Sequence, residues 1–209
     1  MRPTDAAAAG ELGADAIGMI FVPGARRFVS VETAKGISRQ AGPFVTRVGV
    51  FQDAPTKKIL ETAATVSLDL VQLHGHERAE QVAELGACGL RVLKAIRVDD
   101  RIEQEVHYWR GQGADVQQAL LGFVLETAGP SGGSGIANDF EAIARHRQAG
   151  LFDGMRLILA GGVRPENAAG AIRLVRPWAI DVSSGVEKTF GQKSKRLIDE
   201  LMQVVWAVE

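Results

Sequence analysis

The sequence predicts an α/β fold in which parallel β-strands alternate with α-helices. Seven short apolar runs, rich in β-branched residues, recur along the 209-residue chain. They lack the polar alternation of a strand with one face in water, and continuous runs of this kind are typical of parallel sheets that are covered on both faces. Amphipathic stretches with helix start signals separate them. The seven runs are AIGMIF, VTRVGVF, LDLVQL, LRVLKAI, LLGFVL, LILA and AIDVSS.

Eight helices are predicted between and around these strands. Ser30 precedes VETAKGISRQAG as a helix cap, and Pro55 and Pro165 open PTKKILETAATV and PENAAGAIRLV, because proline is favoured in the first helical turn. Short connections between the elements predict right-handed βαβ units. The other five helices are PTDAAAAGELG, ERAEQVAELG, RIEQEVHYW, DFEAIARHRQAG and KSKRLIDELMQVVWAV.

The helix count favours a closed barrel over an open, doubly wound sheet. Each helix of the alternation needs a strand before it, and the one position without a strand precedes the helix that begins near Thr4. The sequence therefore predicts a (β/α)8 TIM barrel that lacks its first strand in this chain. We expect residues 1–209 to form a single domain, since a chain of this size buries a full core.

Composition and charge exclude several classes of partner. The 24 Lys and Arg residues nearly balance the 25 Asp and Glu residues, so no overall positive field attracts nucleic acid or an anionic membrane. No signal peptide or membrane-spanning run is present in the sequence. The single cysteine, Cys88, excludes an intrachain disulfide and fits a reducing compartment. We therefore expect a soluble, cytoplasmic protein.

A segment rich in Gly and Ser, residues 126–139, has two interpretations. It resembles an interdomain linker in composition. However, only two predicted strands follow it, which is too few for an independent sheet. A mobile loop after a barrel strand explains the glycines equally well, and we favour it.

Two loops near the end of the chain are candidates for phosphate binding. Gly161 and Gly162 follow the sixth predicted strand, and Ser183, Ser184 and Gly185 follow the seventh. Small residues allow backbone N–H groups and hydroxyls to approach an anion closely. The loops after the last two strands of such barrels commonly hold phosphate. Either loop alone would be read as an ordinary turn, and it is their pairing that favours a phosphate site.

Two charged residues at predicted strand ends are candidates for the chemistry. Glu126 ends LLGFVL directly before the Gly-rich segment, where a carboxyl group is positioned to act as a general acid. The alternative is a solvated loop carboxylate. Arg27 follows the first predicted strand, and its guanidinium suits a substrate carboxylate. Arg26 and Arg27 could equally form a solvated basic pair, and the sequence leaves both interpretations open.

We expect neither a metal site at the two neighbouring histidines nor a catalytic role for the cysteine. His74 and His76 have the spacing of two side chains on one side of a strand, as in a metal site. The predicted strand ends at Leu73, and no Cys or Asp completes a ligand set nearby, so we expect no metal. Cys88 lies between a helix and the start of a strand, away from the catalytic end, and we expect it to be a small buried apolar residue.

Several motifs occur in the order found in one enzyme family. The motifs are GADAIGMIF, PGARRFVS, RVGVF, LDLVQLHG, LKAI, GGSG, LAGGVRPENAAGAI and AIDVSSGVE. With them the chain resembles the phosphoribosylanthranilate isomerases from Thr4 to its last helix. The resemblance implies an Amadori rearrangement in tryptophan synthesis, without metal or organic cofactor. A general acid protonates the furanose ring oxygen, and a general base removes the C2′ proton of the resulting Schiff base.

The resemblance also implies site residues. Glu126 matches the family's catalytic aspartate, a departure that adds a methylene, and Arg27 matches the arginine that holds the anthranilate carboxylate. His74 and Asp181 match substrate-binding positions. The phosphate cradle corresponds to Gly161, Gly162, Ser183, Ser184 and Gly185.

The family's catalytic base is a cysteine in a KICG-like first strand, which is the strand that the helix count finds missing. Met1 matches the residue just after that motif. One hypothesis is a gene start placed too late, so that about six to eight residues are lacking, roughly one strand; an upstream in-frame strand with a cysteine is then expected. The alternative is an inactive or phosphate-ligand-binding relative that begins at Met1.

A third hypothesis is a related barrel enzyme, such as a sugar-phosphate epimerase or an aldose-type isomerase. Those enzymes need metal-held carboxylates or paired aspartates, which the sequence does not offer. Whichever enzyme it is, a missing strand leaves two unpaired strand edges. We therefore expect the isolated chain to be poorly soluble or dimeric, and we consider a monomer or a homodimer.

Overall fold

The computed structural model describes residues 1–127 and 139–208, so most of the predicted Gly-rich loop lies outside the described residues. Within them, seven parallel strands form one curled sheet, a half-barrel, in the order β1 to β7. The predicted barrel without its first strand is thereby confirmed. The strands are β1 Ala16–Ile20, β2 Thr46–Phe51, β3 Leu70–Leu73, β4 Arg91–Val98, β5 Leu120–Thr127, β6 Leu157–Ala160 and β7 Ala179–Asp181.

Helices follow the strands along the chain. Ser30 caps the second helix as predicted, its hydroxyl accepting the backbone N–H of Thr33 at 3.1 Å, and Pro165 occupies the first turn of the eighth. The helices are α1 Pro3–Glu11, α2 Val31–Gln40, α3 Thr56–Val66, α4 Ala79–Ala87, α5 Ile102–Arg110, α6 Ala114–Ala119, α7 Phe140–Gln148, α8 Pro165–Val175 and α9 Lys195–Ala207. Among the described residues, none of them is long and apolar enough to cross a membrane.

A short helix and a small hairpin were not predicted. The helix α6 is only six residues long, too short for its apolar period to be recognised. A small antiparallel hairpin, β8 Glu187–Thr189 and β9 Gln192–Lys193, follows a 3-10 turn at Ser184–Val186. Gly191 has a φ of +75° in the hairpin turn, a conformation that glycine adopts without strain.

The sheet separates two apolar clusters. The larger one contains residues of both helices and strands. The smaller one consists of strand residues on the concave face, namely Leu93, Val124, Ile158 and Ala160. Because side chains alternate along a strand, residues two positions beyond this cluster also face inward, at the carboxyl end of the sheet. The polar residues of the candidate site lie there.

The ring of strands is open between β1 and β7. Within the described ranges, β1 forms a ladder only with β2 and β7 only with β6, and on β1 a single isolated bridge joins Ile20 to Phe28. The hairpin β8–β9 forms a separate sheet. Both flanking strands therefore keep one edge without a ladder.

Cys88 corrects one expectation. It ends α4 and is exposed, not buried. The following Gly89 has a φ of +83°, so the chain turns outward at this point instead of continuing into the core. Cys88 does precede β4, at the amino end of the sheet and away from the candidate site.

Candidate active site

The strand register brings two carboxyl groups to the same level at the carboxyl end of the sheet, which is called the mouth below. Glu126 on β5 is opposite Ala160 on β6, and Ala160 is opposite Asp181 on β7. Glu126 lies two residues beyond Val124 of the inner cluster, so its side chain faces the mouth. Glu126 and Asp181 are therefore separated by one intervening strand.

His74 connects β3 to this acidic pair. Its Nε2 lies 3.0 Å from Oε2 of Glu126, and the amide nitrogen of Gln72 lies 3.1 Å from its Nδ1. In the neutral imidazole this arrangement has Nδ1 accepting from Gln72 and Nε2 donating to Glu126, whereas in the protonated imidazole both ring nitrogens donate. The hydrogen bond to Glu126 raises the pKa of His74 despite the opposing effect of burial.

Asp181 is exposed at the end of β7. Desolvation raises the pKa of its carboxyl group, and the negative charge of Glu126 raises it further, while Lys193 and His74 lower it. The carboxyl group of Asp181 therefore keeps a proton more readily than an ordinary aspartate does.

The loop after β6 needs its two glycines. Gly161 and Gly162 have φ values of +78° and +62°, a left-handed backbone that glycine adopts without strain. The Asn167 side chain fixes the loop by donating to the Gly162 carbonyl at 2.9 Å. It also accepts from the backbone N–H of Arg164, at the N-terminus of α8.

The structure brings the two predicted phosphate loops into contact. A Cβ atom at Gly185 would collide with the carbonyl oxygen of Val163 and would lie 3.0 Å from Cα of Arg164. Only glycine permits this approach, because backbone atoms cannot move aside. The loop that holds Gly161 and Gly162 therefore lies beside the turn Ser183–Gly185, on the rim that also carries Asp181.

Arg27 forms an internal ion pair, which neither sequence interpretation included. Its Nε and Nη2 donate to the two carboxylate oxygens of Glu187, each at 2.9 Å. Burial alone raises the pKa of Glu187, but Arg27, Lys193 and the N–H of Gly191 lower it to about 2. The hydrogen bond to Glu187 also raises the pKa of Arg27. Arg27 is thus held in one orientation at the mouth.

Lys193 links the same carboxylate to the phosphate loop. Its Nζ lies 3.2 Å from Glu187 and donates to the carbonyl oxygen of Ser183 at 2.6 Å. Burial lowers the pKa of this amine, while the charge of Glu187 opposes that effect. Glu187, Lys193 and Gln72 were not predicted from the sequence. Glu187 lies within the DVSSGVE motif, whereas no sequence motif identified Lys193.

The surroundings of His74 and His76 differ from those of a paired metal site. His74 contacts Glu126, whereas the side chain of His76 is 95% exposed and lies 3.8 Å from Asp53. The strand ends at Leu73, so the two imidazoles do not share a strand face. In residues 1–127 and 139–208 no group of three or more His, Cys, Asp or Glu side chains is arranged to hold a metal.

Comparison with known proteins identifies the family. The family model of N-(5'-phosphoribosyl)anthranilate (PRA) isomerase matches residues 1–204. The chain is 40% identical over 188 residues to the N-(5'-phosphoribosyl)anthranilate isomerase of Thermotoga maritima, covering 88% of this chain and 83% of the relative.

Solved structures of the same family resemble this chain closely. The crystal structure of the Thermotoga maritima enzyme superposes with a TM-score of 0.84 at 37% identity, covering 99% of this chain and 95% of that one. An isomerase crystallised with reduced 1-(o-carboxyphenylamino)-1-deoxyribulose 5-phosphate has a TM-score of 0.80 at 35% identity, covering 98% and 94% of the two chains. The chain therefore belongs to the N-(5'-phosphoribosyl)anthranilate isomerase family.

Proposed function

We propose that this protein isomerises N-(5'-phosphoribosyl)anthranilate to 1-(2-carboxyphenylamino)-1-deoxyribulose 5-phosphate in tryptophan biosynthesis. The reaction is an intramolecular aldose–ketose rearrangement. Family membership supports it, as does the related isomerase crystallised with a reduced form of this product. The observation that carries the proposal is the contact between the two phosphate loops on the rim of Asp181, one strand from Glu126.

In this proposal Glu126 is the general acid. Its protonated carboxyl group gives a proton to the furanose ring oxygen, and the C1′–O bond breaks as the nitrogen lone pair forms the Schiff base. The carboxylate that remains accepts the Nε2–H of His74 at 3.0 Å. A hydrogen bond to the charged form stabilises the state reached after proton transfer. His74 and Asp181 line the sugar, and no metal or cofactor is required because proton transfers drive the ring opening and the isomerisation, with no external oxidant or reductant.

The substrate's two anionic ends have separate partners in the proposal. The phosphate binds the backbone N–H groups of Gly161, Gly162 and Gly185 and the hydroxyls of Ser183 and Ser184. The anthranilate carboxylate binds Arg27, which stands on the loop after β1. The Glu187 carboxylate leaves part of its guanidinium available.

The base that removes the C2′ proton is not assigned to any described residue. The resemblance gives this role to a cysteine, and the one cysteine of the sequence is Cys88. Cys88 is exposed at the amino end of β4, so it cannot reach the mouth. The second candidate function kept beside the isomerase is a protein that binds the phosphorylated ligand without turning it over.

One pair of assays separates the two candidates. Binding of the reduced product analogue is measured by calorimetry. Product formation is followed by fluorescence on the 209-residue chain, on the same chain with the strand Lys-Ile-Cys-Gly-Leu fused before Met1, and on that fusion with Glu126→Gln. Turnover that Glu126→Gln lowers by about a hundredfold or more supports the isomerase. Analogue binding without turnover by the fusion supports the binding protein, and absence of both contradicts both candidates. Glu61→Gln, a change at an exposed residue of α3, is the control.

We further propose a cytoplasmic protein in which residues 1–209 act as one domain, with no nucleic-acid or membrane partner. A monomer and a homodimer are both considered. A related structure from Thermotoga maritima is described as a monomer generated from a dimeric isomerase. In this chain the side chain of Phe44 is 96% exposed, and light scattering at micromolar concentration distinguishes the two states.

A further inference from the structure

Glu187 occupies only one edge of the Arg27 guanidinium. A guanidinium carries five N–H donors, of which Nε contributes one and each Nη two. Glu187 accepts from Nε and from one Nη2 hydrogen. Two Nη1 hydrogens and one Nη2 hydrogen have no acceptor among the described residues. One Nη1 hydrogen and the remaining Nη2 hydrogen form the end-on edge, which matches a second carboxylate in a bidentate arrangement.

The Glu187 carboxylate is fixed more firmly than an ordinary surface partner. Its side chain is 6% exposed, and Lys193 and the backbone N–H of Gly191 are bonded to it at 3.2 Å each. These partners keep the carboxylate charged and stationary. The Arg27 guanidinium also lies 4.5 Å from the ring centroid of Phe190, within the range of a cation–π contact.

The same carboxylate connects the two ends of the candidate site. Lys193 bonds both to Glu187 and to the Ser183 carbonyl oxygen. The group that orients Arg27 is therefore joined through one side chain to the phosphate loop at Ser183. The short hairpin β8–β9, which the sequence did not predict, supplies all of these contacts.

We infer that Glu187 is a positioning residue that presents the end-on edge of Arg27 to the substrate's aromatic carboxylate. The inference rests on the proposed function and deepens it. Glu187 does not touch the substrate. It acts through Arg27, so its contribution exists only when Arg27 and the carboxylate are both present.

The test compares two ligands on the full chain. One is the reduced product analogue, and the other is the same molecule without the aromatic carboxylate. The ratio of their dissociation constants measures the carboxylate's contribution. We expect the wild type to favour the carboxylate-bearing ligand by about tenfold or more, as for a hydrogen-bonded charge pair. We expect Glu187→Gln to lower that ratio by at least about fivefold, because the uncharged amide offers one acceptor oxygen where Arg27 now donates to two carboxylate oxygens.

A double-mutant cycle separates positioning from general damage. In an Arg27→Met background, Glu187→Gln should leave the ratio unchanged, because the carboxylate's partner is already gone. An equal loss of the ratio in both backgrounds would overturn the inference. So would an unchanged ratio in Glu187→Gln. The control, Glu61→Gln, should match the wild type.

The effect of each variant on folding is measured separately from its effect on the ratio of dissociation constants. Melting temperature is measured for each variant, and Glu187→Asp carries the test if Glu187→Gln does not fold. Aspartate keeps the charge but withdraws it by one methylene, so we expect an intermediate ratio; a wild-type ratio in Glu187→Asp would count against positioning. Wild-type protein that binds neither ligand would overturn the proposed function and the inference with it. Wild-type binding without an effect of Glu187 would overturn the inference alone.

Discussion

The Nε2 atom of His74 lies 3.0 Å from the carboxylate of Glu126, across the intervening strand β4. In the neutral ring the amide nitrogen of Gln72 donates to Nδ1, and in this tautomer as in the protonated ring Nε2 donates to Glu126. The two side chains belong to segments that lie far apart in the sequence, and only the curl of the sheet brings them together. Because of this contact, we expect the free energy of unfolding to depend on pH.

The first prediction concerns stability as a function of pH. The hydrogen bond to Glu126 raises the pKa of His74 above its ordinary value of 6.5, while Lys94 and Glu77 have weaker effects that oppose each other. The stabilisation is therefore complete below pH 6.5 and is lost as the pH rises through the raised value. His74→Gln should cost more unfolding free energy at about pH 5.5 than at about pH 9. Both side chains are about one third exposed, so the difference should not exceed about 1 kcal/mol.

Urea denaturation at both pH values measures this difference. The matched control is His76→Gln, since the side chain of His76 is 95% exposed. A cost for His74→Gln that is equal at the two pH values would contradict the assigned pairing. In a Glu126→Gln background, the cost of His74→Gln in unfolding free energy should be the same at both pH values, because His74 then has no charged partner in the contact.

The second prediction follows from the open edges of β1 and β7. A short strand with the sequence Lys-Ile-Cys-Gly-Leu, fused before Met1, can pair with both edges and close the ring. We expect a higher melting temperature than that of the 209-residue chain. If the added thiol reaches the substrate, turnover should exceed that of the same fusion with serine by about a hundredfold.

Melting curves and product fluorescence check the fusion. The serine version is the matched control, since it closes the ring without supplying a thiol. Equal turnover by the cysteine and serine versions would show that the added thiol is not the base. An unchanged melting temperature would show that the strand does not enter the gap.

The third prediction concerns the contact between the phosphate loops. Gly185→Ala places a methyl group against the Val163 carbonyl oxygen, so one of the loops must move. We expect a loss of about 1 to 3 kcal/mol in unfolding free energy, as for overpacking, and at least about tenfold weaker binding of the reduced product analogue, since about 1.4 kcal/mol is tenfold. Gly170→Ala is the control, because nothing lies within 4 Å of the place that its methyl group would take in α8. Wild-type affinity in Gly185→Ala would contradict the loop assignment.

The fourth prediction concerns a buried ion pair under the rim. Lys94 and Glu77 lie 3.2 Å apart, with side chains 2% and 1% exposed. Lys94 also donates to the carbonyl oxygens of Leu73 and Gly75. Lys94→Met leaves a buried carboxylate without its countercharge, and we expect a loss of about 3 to 5 kcal/mol.

Urea denaturation of Lys94→Met measures this loss, with Lys57→Met as the control at an exposed lysine. The double variant Lys94→Met with Glu77→Gln should recover part of the stability, because the unpaired charge is removed. A loss below about 1 kcal/mol in Lys94→Met would show that solvent reaches Glu77 and that the pair is not a structural element.

Local patterns were sufficient to predict the strands and most of the helices. Continuous apolar runs predicted all seven strands of the half-barrel, and Ser30 and Pro165 begin their helices as the capping preferences of those residues indicate. The placement of glycines and serines after β6 and β7 also identified two loops that prove to be neighbours. These signals depend on residues close in the sequence.

Contacts between distant segments could not be predicted in the same way. Arg27 and Glu187 are separated by 160 positions, and no local pattern at either position indicates the other. The hairpin that carries Glu187 and Lys193 has strands of three and two residues, too short to show a period. Cys88 was wrongly expected to be buried, because its neighbours are apolar while the chain reverses direction at Gly89.

The most direct test is a crystal structure of the chain with the reduced product analogue. We expect the phosphate within about 3 Å of the backbone N–H of Gly162 and the hydroxyl of Ser184. We expect the aromatic carboxylate on the end-on edge of Arg27 and the sugar beside Glu126. A phosphate located elsewhere, for example in the cleft of about 500 Å³ lined by Arg78 on the outer rim, would contradict the assignment of the site.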